Sequence, residues 1–360
     1  MTPPLLVVGE VRTALLMNSR PLGRIGAEAL LALLVHGAHV RTAERPVPRA
    51  LSADLVEAVD CPVRTGSAAK ARGVGTLLAR AKVTGGRVLQ ASTRGALVPG
   101  GTRRLPWAHY LERPGTVEVI GRARTDDLAD GFPGTRPPDR ELAPGAVSER
   151  LLGQVQRSPA LDHQATFRAR RTQLRWSAAP SESGSRPGGT FTLYGATERT
   201  LELRLPADRF PAITEIAALC EDLALHDWLL SVLAEAADRA CAGQSDSASL
   251  RRIRPAVHQL IHLWSPGVDT SAELLAVWAD LEARPGFSRQ WQTCVDRIRD
   301  SMALNILEGL SRRPGTPDHL GGDPDPRSRP SSQPAPLPSS VPSEPSAPPP
   351  RAASNGSART

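Results

Sequence analysis

The first residues that could carry chemistry are three titratable side chains on one helix-like run. In 213–239, ITEIAALCEDLALHDWLLSVLAEAADR, the side chains of Glu215, Asp222 and His226 fall within about 40° of one another at about 100° per residue. Leu219, Leu229, Leu230 and Leu233 surround that line. Asp222 and His226 are four apart, the spacing at which an acid preceding a cation forms a pair on a helix. A carboxylate beside an imidazole in apolar surroundings could move protons at a shifted pKa, or supply half of a metal site. It could equally be a satisfied polar pair that orients helix packing, which is the more common use.

Four arginines form the second group. Arg168, Arg170, Arg171 and Arg175 lie with Phe167 and Trp176 in a stretch that reads as a strand. Cations mixed with rings are what a single-stranded nucleic-acid platform uses, since phosphates pair and bases stack. Strand alternation works against this, placing Arg168 and Arg170 on one face and Arg171 and Arg175 on the other; a charged edge strand accounts for the same residues. His258 and His262 share a helix face, but the string is HQLIH, with Gln259 where a zinc protease needs its general base and no third ligand in view. The lone Gly73–Gly75 pair opens a strand and not a helix, so no phosphate cradle follows from it. Cys61, Cys220, Cys241 and Cys294 form no CxxC pair, which argues against a disulfide framework or structural zinc. No metal and no cofactor is expected, and the absent motifs lower the case for an enzyme without closing it.

The elements that must hold these residues follow from periodicity. A β-rich run over 5–18, in which Glu10 and Arg12 point the same way, precedes a helix at 25–36 and a strand at 39–44. Ser52 sits in the capping position of an expected second helix, SADLVEAV. Two strands joined by Thr84, Gly85 and Gly86 make a hairpin, and 116–120 is a further strand. Trp107, His109 and Tyr110 form an aromatic island expected to plug one end of a sheet or barrel. A helix at 147–156 leads into strands at 166–177 and 190–205, where Leu201, Leu203 and Leu205 alternate with Glu202 and Arg204. Beyond 211 the pattern is helical, with runs at 213–239, 250–264, 270–283 and 287–310 and short connections that suggest an antiparallel bundle of four.

The resulting expectation is an α+β chain in five parts: a basic mixed domain over 1–125, a linker over 126–146, a helix and β-hairpin over 147–212, an acidic helical bundle over 213–312 and a disordered Pro/Ser-rich tail over 313–360. Charge follows the same division, with 20 basic and 13 acidic residues in 1–145 and 10 against 14 in 213–313. That asymmetry marks either a polyanion-binding face or two halves that attract each other; the scattered placement of the arginines favours the second. No charged leader precedes a long apolar core, and no apolar run reaches the roughly 20 residues of a membrane span, so a cytoplasmic protein is expected.

Several strings carry a resemblance: GEVRTALLMNS, RGVGTLLARA, RRLPWAHYLERPGTVEVIG, RARRTQLRWS and CEDLALHDWLL. Together they resemble an uncharacterised actinobacterial, Streptomyces-type family over about residues 6–310. The resemblance implies a conserved gene cluster that also encodes a variant P-loop protein and a SAM-dependent methyltransferase, and it implies no catalytic residue. The expected function is therefore a non-enzymatic accessory or scaffold protein acting through protein–protein contacts, with a partner from that cluster. The alternatives are nucleic-acid binding through the arginine-rich strand and an enzyme built on Asp222 and His226.

Overall fold

The computed structural model describes residues 3–34, 39–67, 69–132, 141–241, 258–267 and 270–311. Its strands are β1 (Leu6–Leu15), β2 (Arg41–Ala43), β3 (Arg49–Leu51), β4 (Leu55–Val63), β5 (Ala71–Thr84), β6 (Val88–Pro99), β7 (Thr116–Gly121), β8 (Thr172–Ser181), β9 (Gly188–Tyr194) and β10 (Glu198–Pro206). The helices are α1 (Arg24–Ala32), α2 (Trp107–Leu111), α3 (Thr125–Gly131), α4 (Pro144–Gln156), α5 (Ile213–Cys241), α6 (Leu275–Ala283) and α7 (Phe287–Ser311). All ten strands belong to one mixed sheet in the order β2-β3-β5-β7-β6-β1-β8-β10-β9, with β4 beside β5. The β6–β7 and β8–β10 pairings are parallel and the others antiparallel. Residues 1–310 form one compact unit, so the expected divisions after 125, 146 and 212 all fall inside it.

The hairpin of β5 and β6 is the spine of the sheet. Gly85 and Gly86 close it at φ +58° and +63°, a conformation side chains with a Cβ seldom adopt. Both strands are buried along most of their length, which requires cover on both faces. On one face Val7, Val11, Trp176, Leu201 and Leu203 pack with Ile216, Leu223 and Trp228 of α5. On the other, Ala79, Ala81, Leu89 and Ala91 meet Leu30 and Leu31 of α1 and Leu151, Leu152 and Val155 of α4. The protein is thus a mixed α/β layering of helices, sheet and helices.

Charge then fixes how α5 lies on the sheet. Arg80 of β5 makes a two-pronged contact with Glu221, at 2.7 and 2.8 Å, and Arg199 of β10 bonds Asp227 at 2.6 Å. Arg170 with Glu235 and Arg186 with Asp280 add exposed pairs. Arg80, Arg170, Arg186 and Arg199 thus pair with acids of the helical region, Arg80 alone of the four coming from residues 1–145. Apolar burial stabilises the packing more than these pairs do: Trp176 or Trp228, each fully buried, contributes on the order of 4 kcal/mol at about 25 cal/mol per Å².

Several local expectations are corrected. The segment expected as the helix SADLVEAV is strand β4, paired along its length with β5; Ser52 accepts the Ala81 amide across strands instead of capping a helix. The aromatic island is the short helix α2, which packs on β5, with Tyr110 buried and accepting the Leu105 amide. The expected linker over 126–146 contains most of α3 and the start of α4. The strand expected from 166 begins at Thr172, leaving Arg168, Arg170 and Arg171 in the preceding loop. In the helical region α5 packs on the sheet and not only against other helices, and most of the expected run at 250–264 lies outside the described residues, as does the tail over 313–360.

Candidate functional site

Asp222 and His226 do meet on α5, with Nδ1 of His226 3.4 Å from Oδ1 of Asp222. Both imidazole nitrogens and one carboxylate oxygen are engaged. His226 Nδ1 donates to the Asp222 carbonyl at 2.7 Å, and Nε2 accepts the Ser265 amide at 3.1 Å, which defines a neutral imidazole with its proton on Nδ1. Oδ2 of Asp222 accepts the Gly267 amide at 2.9 Å. Trp264 and Trp278 pack edge-on to the ring. Burial lowers the pKa of His226, against the opposing pull of Asp222. The adjoining void is about 20 Å³, close to the volume one water needs. Together these contacts pin the loop at 265–267 to α5. Glu215 stands apart at the start of the helix, accepting the Ala212 amide.

The four arginines do not converge. Arg168 and Arg170 are exposed in the loop, Arg170 paired with Glu235 and Arg171 with Glu149. Arg175 alone lies in a strand, and it points into the interior toward Glu10. His258 and His262 are exposed and stack edge to face, and among the described residues no group of three His, Cys, Asp or Glu side chains could hold a metal ion. No helix among them is long and apolar enough to cross a membrane.

The arrangement that sequence reasoning missed lies on the α4 side of the sheet. Strand alternation sends Glu10 and Arg12 of β1 to that face, with Gln173 and Arg175 of β8 and Glu198 of β10 beside them. The N-terminal end of α4 and the end of α3 stop short of covering these positions, leaving a cavity of about 700 Å³. Glu10 is at its floor, 1% exposed, with Arg12 at 3.0 Å and Arg175 at 3.6 Å. Burial raises the Glu10 pKa and outweighs the two guanidinium groups. Its carboxylate lies against Gly145 in the first turn of α4, where a Cβ would come within 2.1 Å of Oε1. The available signal in the sequence was two charges on one face of an otherwise apolar strand. Their partners are more than 130 residues away, beyond the reach of local spacing.

The sheet edges form the remaining feature. β2 is three residues long and carries Arg41, and β4 carries Glu57, Asp60 and Pro62; short length, charge and proline are the devices that discourage further strand pairing. β9, GGTFTLY, has none of them. It ends the sheet order and exposes Leu193 and Tyr194 by more than half. No protein-family model, curated protein or solved structure matches the chain.

Proposed function

We propose that the chain is a cytoplasmic, non-enzymatic accessory or scaffold protein that receives a strand of a partner protein along β9. The observation that carries this reading is the contrast among the edges of the described residues: β4 is charged, β2 is short, and β9 offers a seven-residue, charge-free strand with exposed apolar side chains. Main-chain hydrogen bonds to such an edge give affinity, and alternate side chains give specificity. Helices α6 and α7 supply apolar support behind that edge, with Val277 of α6 against Gly189 and Phe287 of α7 against Phe191, so a partner strand would meet a supported surface.

The partner we propose is a product of the gene cluster that the resemblance implies, the variant P-loop protein or the methyltransferase. Co-purification from the native host tests this, using wild type and Thr190→Lys, which sets a cation on the exposed edge. Recovery of one of these proteins with wild type and its loss with the variant supports the reading. Equal recovery with both would sink it.

The enzyme alternative has less support, because Asp222 and His226 are tied to the 265–267 loop beside a void of only about 20 Å³. Nucleic-acid binding through the arginines has less support too, because Arg170, Arg171 and Arg175 are paired with acids on three separate elements.

A further inference from the structure

We propose that the cavity between β1, β8 and the N-terminal end of α4 binds a neutral, polyhydroxylated ring of sugar or nucleoside size, with Oε1 of Glu10 accepting one of its hydroxyl protons.

The size is the first argument. About 700 Å³ lies within the roughly 300–1,000 Å³ typical of small-molecule sites and far exceeds the roughly 30 Å³ that one water occupies in the liquid. The cavity also has a floor and a mouth. Glu10 and Arg175 are buried beneath it, while Arg12, Glu149 and Arg150 are progressively exposed, at 22%, 45% and 60%.

Unmet hydrogen-bonding capacity is the second. Across the sheet, Thr93 of β6, Glu10 of β1, Arg175 of β8 and Thr200 of β10 are direct cross-strand neighbours in a single row. Thr93 Oγ1, Glu10 Oε1 and Thr200 Oγ1 are all buried without a hydrogen-bond partner, and of the three Glu10 lines the cavity. Arg12 lies 3.0 Å from Oε1 as an ion-pair contact but does not meet hydrogen-bond geometry there. Oε1 therefore keeps acceptor capacity beyond its ion pair with Arg12. It faces a cavity from which a donor can reach it.

Charge selects the ligand class. The cations that line the cavity are already matched: Arg12 with Glu10 and Glu149, Arg175 with Glu10, Arg150 with Glu57, and Arg64 with Glu141. An anionic ligand would have to break one of these pairs and approach Glu10, Glu149 and Glu198. A cation would face Arg12 and Arg175. A neutral molecule whose hydroxyls both donate and accept disturbs none of the pairs, and can bond to Glu10, Gln173 and the guanidinium groups together. Leu97, Leu128, Phe132 and Leu142 supply an apolar wall for the face of a ring.

The test is calorimetric titration of the full chain at low and high salt with glucose, adenosine and uridine, and with adenosine monophosphate and spermidine as charged comparators. The expected result is binding of at least one neutral compound with an affinity indifferent to salt, glucose against the nucleosides telling a sugar site from a nucleoside site. Ala146→Trp, at an exposed cavity-lining position, should abolish that binding without changing the melting temperature. Glu10→Gln should weaken it about tenfold or more, the worth of a hydrogen bond to a charged acceptor. The proposal is overturned if none of the neutral compounds binds, if only a charged comparator binds, or if binding survives Ala146→Trp.

Discussion

Removing the charge of Glu221 tests how α5 is held to the sheet. Glu221→Gln keeps the shape of the side chain but leaves Arg80, 6% exposed, without its counter-ion and without one of its two acceptor oxygens. Breaking a buried pair by removing one partner costs about 3–5 kcal/mol. At about 2.1 cal/mol/K per residue, the 310-residue unit unfolds with an entropy of roughly 0.65 kcal/mol/K, so the melting temperature should fall by roughly 6 °C. Replacing both partners, Arg80→Met with Glu221→Leu, removes the desolvation penalty along with the attraction and should recover most of the loss. The pH dependence has a definite sign. Burial alone would raise the Glu221 pKa, but Arg80, Lys82 and Ser92 bring it below the ordinary carboxylate value. Its stabilisation is therefore present above the unfolded value of about 4.3 and is lost as pH falls through the folded one, a dependence that Glu221→Gln should remove. Thermal melts and urea midpoints over an acid series measure all of this. A single variant within about 0.5 kcal/mol of wild type, or a double variant no more stable than the single, would refute the reasoning.

Three further outcomes follow from the same geometry. His226 is neutral in the folded protein with its pKa lowered by burial, so the unfolded chain gains a proton below about 6.5 that the folded chain does not. Stability should accordingly fall as pH drops from about 6.5 toward the lower folded value, and His226→Asn should lose that limb while costing about 1–3 kcal/mol at neutral pH; melts across that range decide it. Gly145→Ala should destabilise by about 1–3 kcal/mol, because its methyl group would stand 2.1 Å from Glu10 Oε1; a urea midpoint equal to wild type would show that the carboxylate does not rest there. Thr190→Lys, on the exposed edge, should leave stability within about 0.5 kcal/mol, as circular dichroism melts will show.

What the sequence made legible depended on how local the cause was. The β5–β6 hairpin was readable because two adjacent glycines dictate it, and β10 because Leu201, Leu203 and Leu205 alternate with exposed residues. The apolar circumference of 213–239 marked α5 as buried, and it is covered by the sheet on one side and by residues of 260–291 on another. β4 was misread because Ser52 and the run after it fit a capped helix, while nine residues of pairing with β5 decide the strand. Propensity is a weak prior against a ladder of that length. The proximity of Asp222 and His226 followed from helical spacing, but their ties to Ser265 and Gly267 depend on a loop about 40 residues away. Glu10 was visible as a charge on an apolar strand, and its meeting with Arg175 and Gly145 required the whole sheet to be in place.

Amide hydrogen exchange of the full chain, alone and with the co-purified partner, gives the most direct test of strand addition at β9. New main-chain hydrogen bonds along Gly188–Tyr194 should slow exchange of the outward-facing amides in that strand, and Thr190→Lys should abolish the slowing. Unchanged exchange at β9, with protection appearing on another surface when the partner is added, would contradict it.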